Sequence, residues 1–67
     1  MSQLTIKNKS ALERKLYDEW RNSPAITWVA FIKSLDKNII SVRYANPYTD
    51  IWFDDDARKN WFILRWS

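Results

Sequence analysis

Four aspartates lie close together in the last third of the chain and are the first candidates for chemistry. Asp54, Asp55 and Asp56 are consecutive, and Asp50 shortly precedes them. Carboxylate oxygens are the ligands that hard cations such as Ca²⁺ take. A calcium loop alternates its ligands and turns at a glycine, whereas these aspartates are consecutive and the chain has no glycine. We therefore predict no metal site. We interpret the run as capping or turn residues, or as a protruding acidic surface that contacts a basic partner.

The side chains that most often carry catalysis are missing. The sequence contains neither His nor Cys, so the usual general base, the usual thiol nucleophile and the usual zinc ligands are absent. The absence of glycine also excludes a Gly-rich phosphate-binding loop. A substrate pocket would consume much of a core that is already small. We predict a protein that is not an enzyme and that uses no cofactor.

The aromatic content is the strongest positive signal. The chain has 67 residues, which is enough for a single small domain over residues 1–67. It carries eleven aromatic residues, five of them Trp. A core of this size is too small to bury all of these rings, each of which covers roughly 150–250 Å². We expect several rings to lie at a homo-oligomer interface or at a site for another protein.

Charge and hydropathy give weaker information. Eleven basic residues against eight acidic ones leave a net charge of +3, an ordinary mixture for a protein surface. No apolar run approaches the roughly 20 residues that a membrane span needs. The N-terminal sequence MSQLTIKNKS lacks the apolar region of a signal peptide. We therefore expect a cytoplasmic protein that does not use a membrane.

The first half of the chain predicts two helices. Residues 1–9 are either a short edge strand or a frayed tail. The segment SALERKLYDEWRN begins with a capping box at Ser10 and Glu13, and its apolar residues recur at helical spacing. The next segment, SPAITWVAFIKSLDKN, is ambiguous because it is rich in β-branched and aromatic residues. We favour a helix there, with Ser23 as N-cap, Pro24 at the first position and Asn38 at the end.

The second half of the chain predicts three strands. IISVRYA alternates, with Ile40, Val42 and Tyr44 on one face. NPYTD is a turn and IWF the returning strand. We interpret WFILRW as a third strand after a DDDARKN turn; a helix starting near Asp54 would instead bring Ala57, Trp61 and Leu64 together. The predicted fold class is α+β, with two N-terminal helices packed on a three-stranded antiparallel β-meander.

The preferred functional hypothesis is a partner-binding surface on the C-terminal strands. One face of the last strand would present Trp61, Ile63 and Arg65, a composition typical of interface hot spots. Trp52 on the neighbouring strand and the acidic residues Asp54, Asp55 and Asp56 would join it. The opposite alternation would expose Phe62 and Trp66 instead, and the sequence leaves this choice open. We expect a non-catalytic inhibitor or adaptor that binds a larger intracellular protein machine, as some phage proteins do against host systems.

A nucleic-acid-binding regulator is the alternative hypothesis. On the second predicted helix, Thr27, Lys33, Ser34 and Lys37 form a polar arc that would suit a phosphate backbone. The arc carries no Arg, Asn or Gln to read base edges. A solvent-exposed helix face explains the same pattern without any ligand.

Overall fold

The computed structural model describes residues 2–66, which form three helices and a three-stranded antiparallel sheet. The α+β class is therefore confirmed, but the order of the elements differs from the prediction. In chain order the elements are β1 Ser2–Lys7, α1 Ala11–Arg21, α2 Trp28–Ser34, β2 Ile39–Ala45, β3 Tyr48–Phe53 and α3 Asp56–Trp66.

The sheet is not a meander. Strand β3 lies in the centre, with β1 on one side and β2 on the other. Of the two alternatives for residues 1–9, the edge strand is the one observed, and it lies antiparallel to β3 with Leu4 opposite Ile51. The predicted return after β2 is present, but Tyr48 already begins β3, so the turn is only Asn46 and Pro47. The N-terminal segment thus occupies the place that the prediction gave to WFILRW.

The C-terminal strand prediction is wrong, because residues 56–66 form helix α3. The Asp55 carboxylate accepts a hydrogen bond from the Arg58 backbone N–H at 2.8 Å, as an N-cap residue does. Helical spacing then lets one face bury Phe62, whose ring centroid lies 5.3 Å from that of Phe53, with Trp66 one turn later. This packing outweighs the β propensity of the segment.

Helix α1 follows the prediction closely. The Ser10 hydroxyl accepts a hydrogen bond from the Glu13 N–H at 3.2 Å. The other half of the capping box is displaced by one residue, since the Glu13 carboxylate accepts from the N–H of Lys9 at 3.4 Å. Lys9 has φ 69°, in the left-handed region, and this residue turns the chain from β1 into α1.

Helix α2 is shorter than predicted at both ends. Its N-cap is Thr27, not Ser23, and the Ser23 hydroxyl instead accepts from the Ala25 N–H in a local turn. The Ala25 carbonyl accepts a hydrogen bond from the indole N–H of Trp20 at 3.2 Å. In the predicted helix this carbonyl would instead accept a backbone N–H of the next turn. At the other end, the Asp36 carboxylate accepts a hydrogen bond from the Asn38 N–H at 2.9 Å, and this local turn replaces further helical hydrogen bonds.

All three helices contribute to a core on one face of the sheet. That core contains the buried residues Ile6, Leu16, Phe31, Ile32, Ile39, Ile51, Phe53 and Phe62. A bulge in β2 between Ile39 and Ser41 brings Ile39 into the core and leaves Ile40 exposed. The predicted alternation, which placed Ile40 with Val42 and opposite Ile39, is therefore wrong at this end of the strand.

The other face of the sheet is covered by no helix of residues 2–66. Its three cross-strand rows follow from the register and are Gln3–Trp52–Ser41, Thr5–Asp50–Arg43 and Lys7–Tyr48–Ala45. In β3, Thr49, Ile51 and Phe53 are buried against the helices, so the other alternation of this strand faces outward. Trp52 belongs to the open face.

Candidate functional site

The most exposed apolar surface on a regular element is one side of α3. Trp61 is 51% exposed and Leu64 is 76% exposed, and Ala57 lies one turn before Trp61 on the same side. Two guanidinium groups flank the indole: the Cζ atom of Arg58 lies 5.7 Å from the ring centroid of Trp61, and that of Arg65 lies 5.6 Å from it. We call these five residues the α3 patch.

The packing below α3 holds the α3 patch in place. Phe62, next to the exposed Trp61, is buried in the core, and Asp55 caps the first turn. Arg58 reaches Asp36, at the end of α2, with its Nη2 atom 3.4 Å from Oδ2. Because this ion pair joins two elements, the Arg58 end of the α3 patch is fixed, whereas the Arg65 guanidinium stacks on Trp61 and Trp66.

The Asp36 carboxylate is a charged group held close to the core. Burial raises its pKa, but the hydrogen bond from the Asn38 backbone N–H and the neighbouring Arg58 guanidinium more than offset this effect. The net result is a pKa below the ordinary value, so Asp36 is ionised at neutral pH. The Arg58–Asp36 pair is therefore intact under those conditions.

The structure separates the residues that the sequence grouped as one surface. Trp61 and Arg65 lie in the α3 patch, and Ile63 on the same helix is half-buried. Trp52 lies on the open sheet face, on the opposite side of β3 from the helices, so it does not join Trp61. Its neighbour there is Arg43, whose Cζ atom is 5.9 Å from the Trp52 ring centroid.

The three consecutive aspartates lie between β3 and α3 and have different roles. Asp55 is the N-cap described above, and Asp56 is the acidic residue of the first helical turn, where the helix dipole favours it. Asp54 donates its backbone N–H to the Asn38 carbonyl, while its side chain is exposed. Within residues 2–66, no three acidic side chains gather closely enough to hold a metal ion.

The polar arc proposed for nucleic acid is split by the shorter α2. Thr27 is the N-cap, and its hydroxyl accepts from the Ala30 N–H at 3.1 Å. The Ser34 hydroxyl donates to the Phe31 carbonyl at 2.6 Å. Lys33 is exposed in the last turn, and Lys37 is exposed beyond the helix end. Both hydroxyls are thus oriented by hydrogen bonds within the helix itself.

A pocket of about 310 Å³ is the feature that sequence reasoning missed. It lies between α1, the start of α2 and the end of β2, and its lining residues are Asn8, Glu13, Tyr17, Trp20, Trp28 and Tyr44. We call it the aromatic pocket. Tyr17 and Trp20, three positions apart on α1, were a local signal for it. Trp28 and Tyr44 join them only through the fold.

No protein-family model, curated protein or solved structure matches this chain. Among the helices of residues 2–66, none has the length and apolar character to cross a membrane.

Proposed function

We propose that the protein is a small non-catalytic binding module and that the α3 patch contacts an acidic and partly apolar surface of another protein. The observation that carries the proposal is the half-exposed Trp61 held between two guanidinium groups, Arg58 and Arg65. Trp and Arg are the residue types most enriched at the hot spots of protein interfaces. Leu64 beside them adds the most exposed apolar side chain of any regular element.

Charge complementarity supports one kind of partner. The α3 patch contains two guanidinium groups, of which that of Arg58 already pairs with Asp36, whereas that of Arg65 forms no ion pair within residues 2–66. A carboxylate on the partner would pair with Arg65 while apolar groups cover the indole and Leu64. A second copy of this chain fits less well, because a two-fold axis through α3 would bring like charges together. An acidic, partly apolar partner surface is therefore the occupant that we propose.

A stoichiometric inhibitor or adaptor is the mode of action that we propose. Blocking or bridging a larger intracellular protein requires a contact surface and no reacting group. A rigid helix presents the side chains of that surface at low entropic cost, because they are already oriented before binding. The acidic side chains of Asp54 and Asp56 lie at the other end of α3 and would contact basic residues at the edge of the same interface.

The experiment is capture followed by measurement on purified proteins. The immobilised chain would be used to capture partners, which would be identified by mass, purified and titrated by calorimetry. Trp61→Ala, Leu64→Ala and Arg65→Gln should each weaken binding about tenfold or more if the α3 patch is the contact surface. Ile26→Ala is a matched control, since Ile26 is 92% exposed in the segment between α1 and α2. Arg21→Gln, on α1, is the control for charge.

Each alternative has its own outcome. Equal affinity of the three α3 variants and the native chain would exclude the α3 patch. Light scattering that shows a dimer lost in Trp61→Ala would identify a second copy as the occupant. If the chain instead binds duplex DNA or RNA with a steep salt dependence, and Lys33→Gln with Lys37→Gln abolishes that binding, the nucleic-acid function replaces the proposal.

A further inference from the structure

The aromatic pocket is lined by four aromatic rings that meet from three parts of the chain. The ring centroids of Trp20 and Trp28 are 5.5 Å apart, and Tyr17 lies edge-on to Trp20 at 5.6 Å. Tyr17 is also 6.3 Å from Trp28. Tyr44, from the end of β2, lines the pocket together with these rings. Because all four rings line one small volume, aromatic π-surface makes up much of its wall.

The polar ends of three of these rings are fixed by hydrogen bonds. Trp20 donates its indole N–H to the Ala25 carbonyl, and Trp28 donates its own to the Thr49 hydroxyl at 3.1 Å. The Tyr44 hydroxyl accepts from the Asn8 side chain at 3.2 Å. Because these bonds are present without a ligand, the rings are oriented in advance and binding would cost little side-chain entropy.

A carboxylate lies at the same pocket. Glu13 lines it and is half-buried. The Glu13 carboxylate accepts a hydrogen bond only from the Lys9 N–H within residues 2–66, and no Lys or Arg of this range lies in an ion pair with it. A negative charge with no cationic partner, beside several aromatic rings, makes the pocket attractive to a positive group.

We propose that the aromatic pocket binds a quaternary ammonium group. Cations are attracted to the faces of Trp and Tyr rings, and a ring cluster is the usual way in which proteins recognise methylated ammonium groups. Such a group cannot donate hydrogen bonds, so it loses little on leaving water for a wall of rings. The volume of about 310 Å³ accommodates the head group together with a short stem. This proposal is independent of the α3 patch.

The test compares a cation with a neutral molecule of the same shape. Choline and 3,3-dimethyl-1-butanol differ only in the replacement of the positive nitrogen by carbon. Both would be titrated into the full chain while the indole N–H signals of Trp20 and Trp28 are followed by NMR. We expect choline to bind with a dissociation constant on the order of 1 mM, and the alcohol to bind at least about fivefold more weakly.

Two variants test the residues. Glu13→Gln keeps an acceptor for the Lys9 N–H and removes the charge, and Tyr17→Leu keeps an apolar side chain and removes the ring. Each should weaken choline binding about two- to fivefold. The matched controls are Glu19→Gln on the exposed side of α1 and Tyr48→Leu on the open sheet face, both of which should bind choline as the native chain does.

The outcomes are distinct. Equal binding of choline and the alcohol would show a hydrophobic cavity and overturn the proposal, as would the absence of any indole shift at 50-fold the expected constant, roughly 50 mM. Unchanged choline affinity in both Glu13→Gln and Tyr17→Leu would overturn it as well. A parallel titration with the amide of acetylated trimethyllysine identifies the source of the group: tighter binding than choline indicates a modified protein side chain, and weaker binding indicates a free small molecule.

Discussion

The Arg43 guanidinium lies 3.2 Å from the Asp50 carboxylate on the open face of the sheet. Asp50 is nearly inaccessible although no helix of residues 2–66 covers this face, because it sits in the central strand with Thr5 and Arg43 on either side. The Thr5 hydroxyl donates a second hydrogen bond to it at 2.9 Å. The three strands are thus tied together by one carboxylate.

Acid should weaken this protein through Asp50. The hydrogen bond from Thr5 lowers the pKa of Asp50, burial opposes this, and Arg43 lowers it further, so the folded pKa lies below the ordinary 3.8. A group with a depressed folded pKa stabilises the fold fully above its unfolded pKa and loses that contribution as the pH falls through the folded value. We expect the difference in unfolding free energy between the native chain and Asp50→Asn to be largest near pH 7 and to shrink below about pH 4.

Urea unfolding at a series of pH values measures this difference. Asp54→Asn is the control for the loss of one carboxylate, since the Asp54 side chain is exposed. A constant gap between the native chain and Asp50→Asn from pH 7 to about pH 2 would contradict the prediction.

Two neighbouring aromatic residues should differ sharply in their contribution to stability. Phe62 is 1% exposed and packs on Phe53, so Phe62→Ala should lower the unfolding free energy by about 3–5 kcal/mol. Trp61 faces solvent on the other side of α3, and Trp61→Ala should cost about 1 kcal/mol or less. Denaturant midpoints measure both. Similar losses in the two variants would contradict the helical placement of these side chains.

The cap of α3 should depend on a single aspartate. Asp55→Ala removes the acceptor for the Arg58 N–H and should cost about 1 kcal/mol. Asp54→Ala is the matched control and should be nearly neutral, because Asp54 contributes its backbone N–H rather than its side chain. Thermal unfolding followed by circular dichroism distinguishes them, and a larger loss for Asp54→Ala would mean that the helix begins elsewhere.

Lys9 holds a backbone conformation that suits glycine better. At φ 69°, a residue with a Cβ atom is strained by about 1–2 kcal/mol. Lys9→Gly removes that strain but adds about 0.5–1 kcal/mol of unfolded-state entropy, so the variant should be as stable as the native chain or more so by up to about 1.5 kcal/mol. Lys9→Val should be less stable than the native chain. Chemical denaturation of both variants checks the prediction, and a clear loss of stability in Lys9→Gly would disprove it.

The local signals in the sequence were reliable where neighbours in the chain supply the partners. Ser10 and Glu13 predicted the start of α1, because a capping box closes within four residues. The strand at 39–45 followed from its alternation, although the bulge at Ile40 did not. The helix at 28–34 was predicted, but its length was not. The Trp20 indole of α1 occupies the Ala25 carbonyl before the helix, and a local turn between Asp36 and Asn38 follows it.

The sequence by itself determined the α+β class, the aromatic surplus, and the lack of His, Cys and Gly. Only the tertiary structure decided that β1, rather than the C-terminal segment, pairs with β3. Strand pairing joins residues far apart in the chain, so no local pattern specifies it, and a segment such as WFILRW becomes a helix once its place in the sheet is taken. The same long-range pairing separates Trp52 from Trp61 and brings Tyr44 to Tyr17, Trp20 and Trp28.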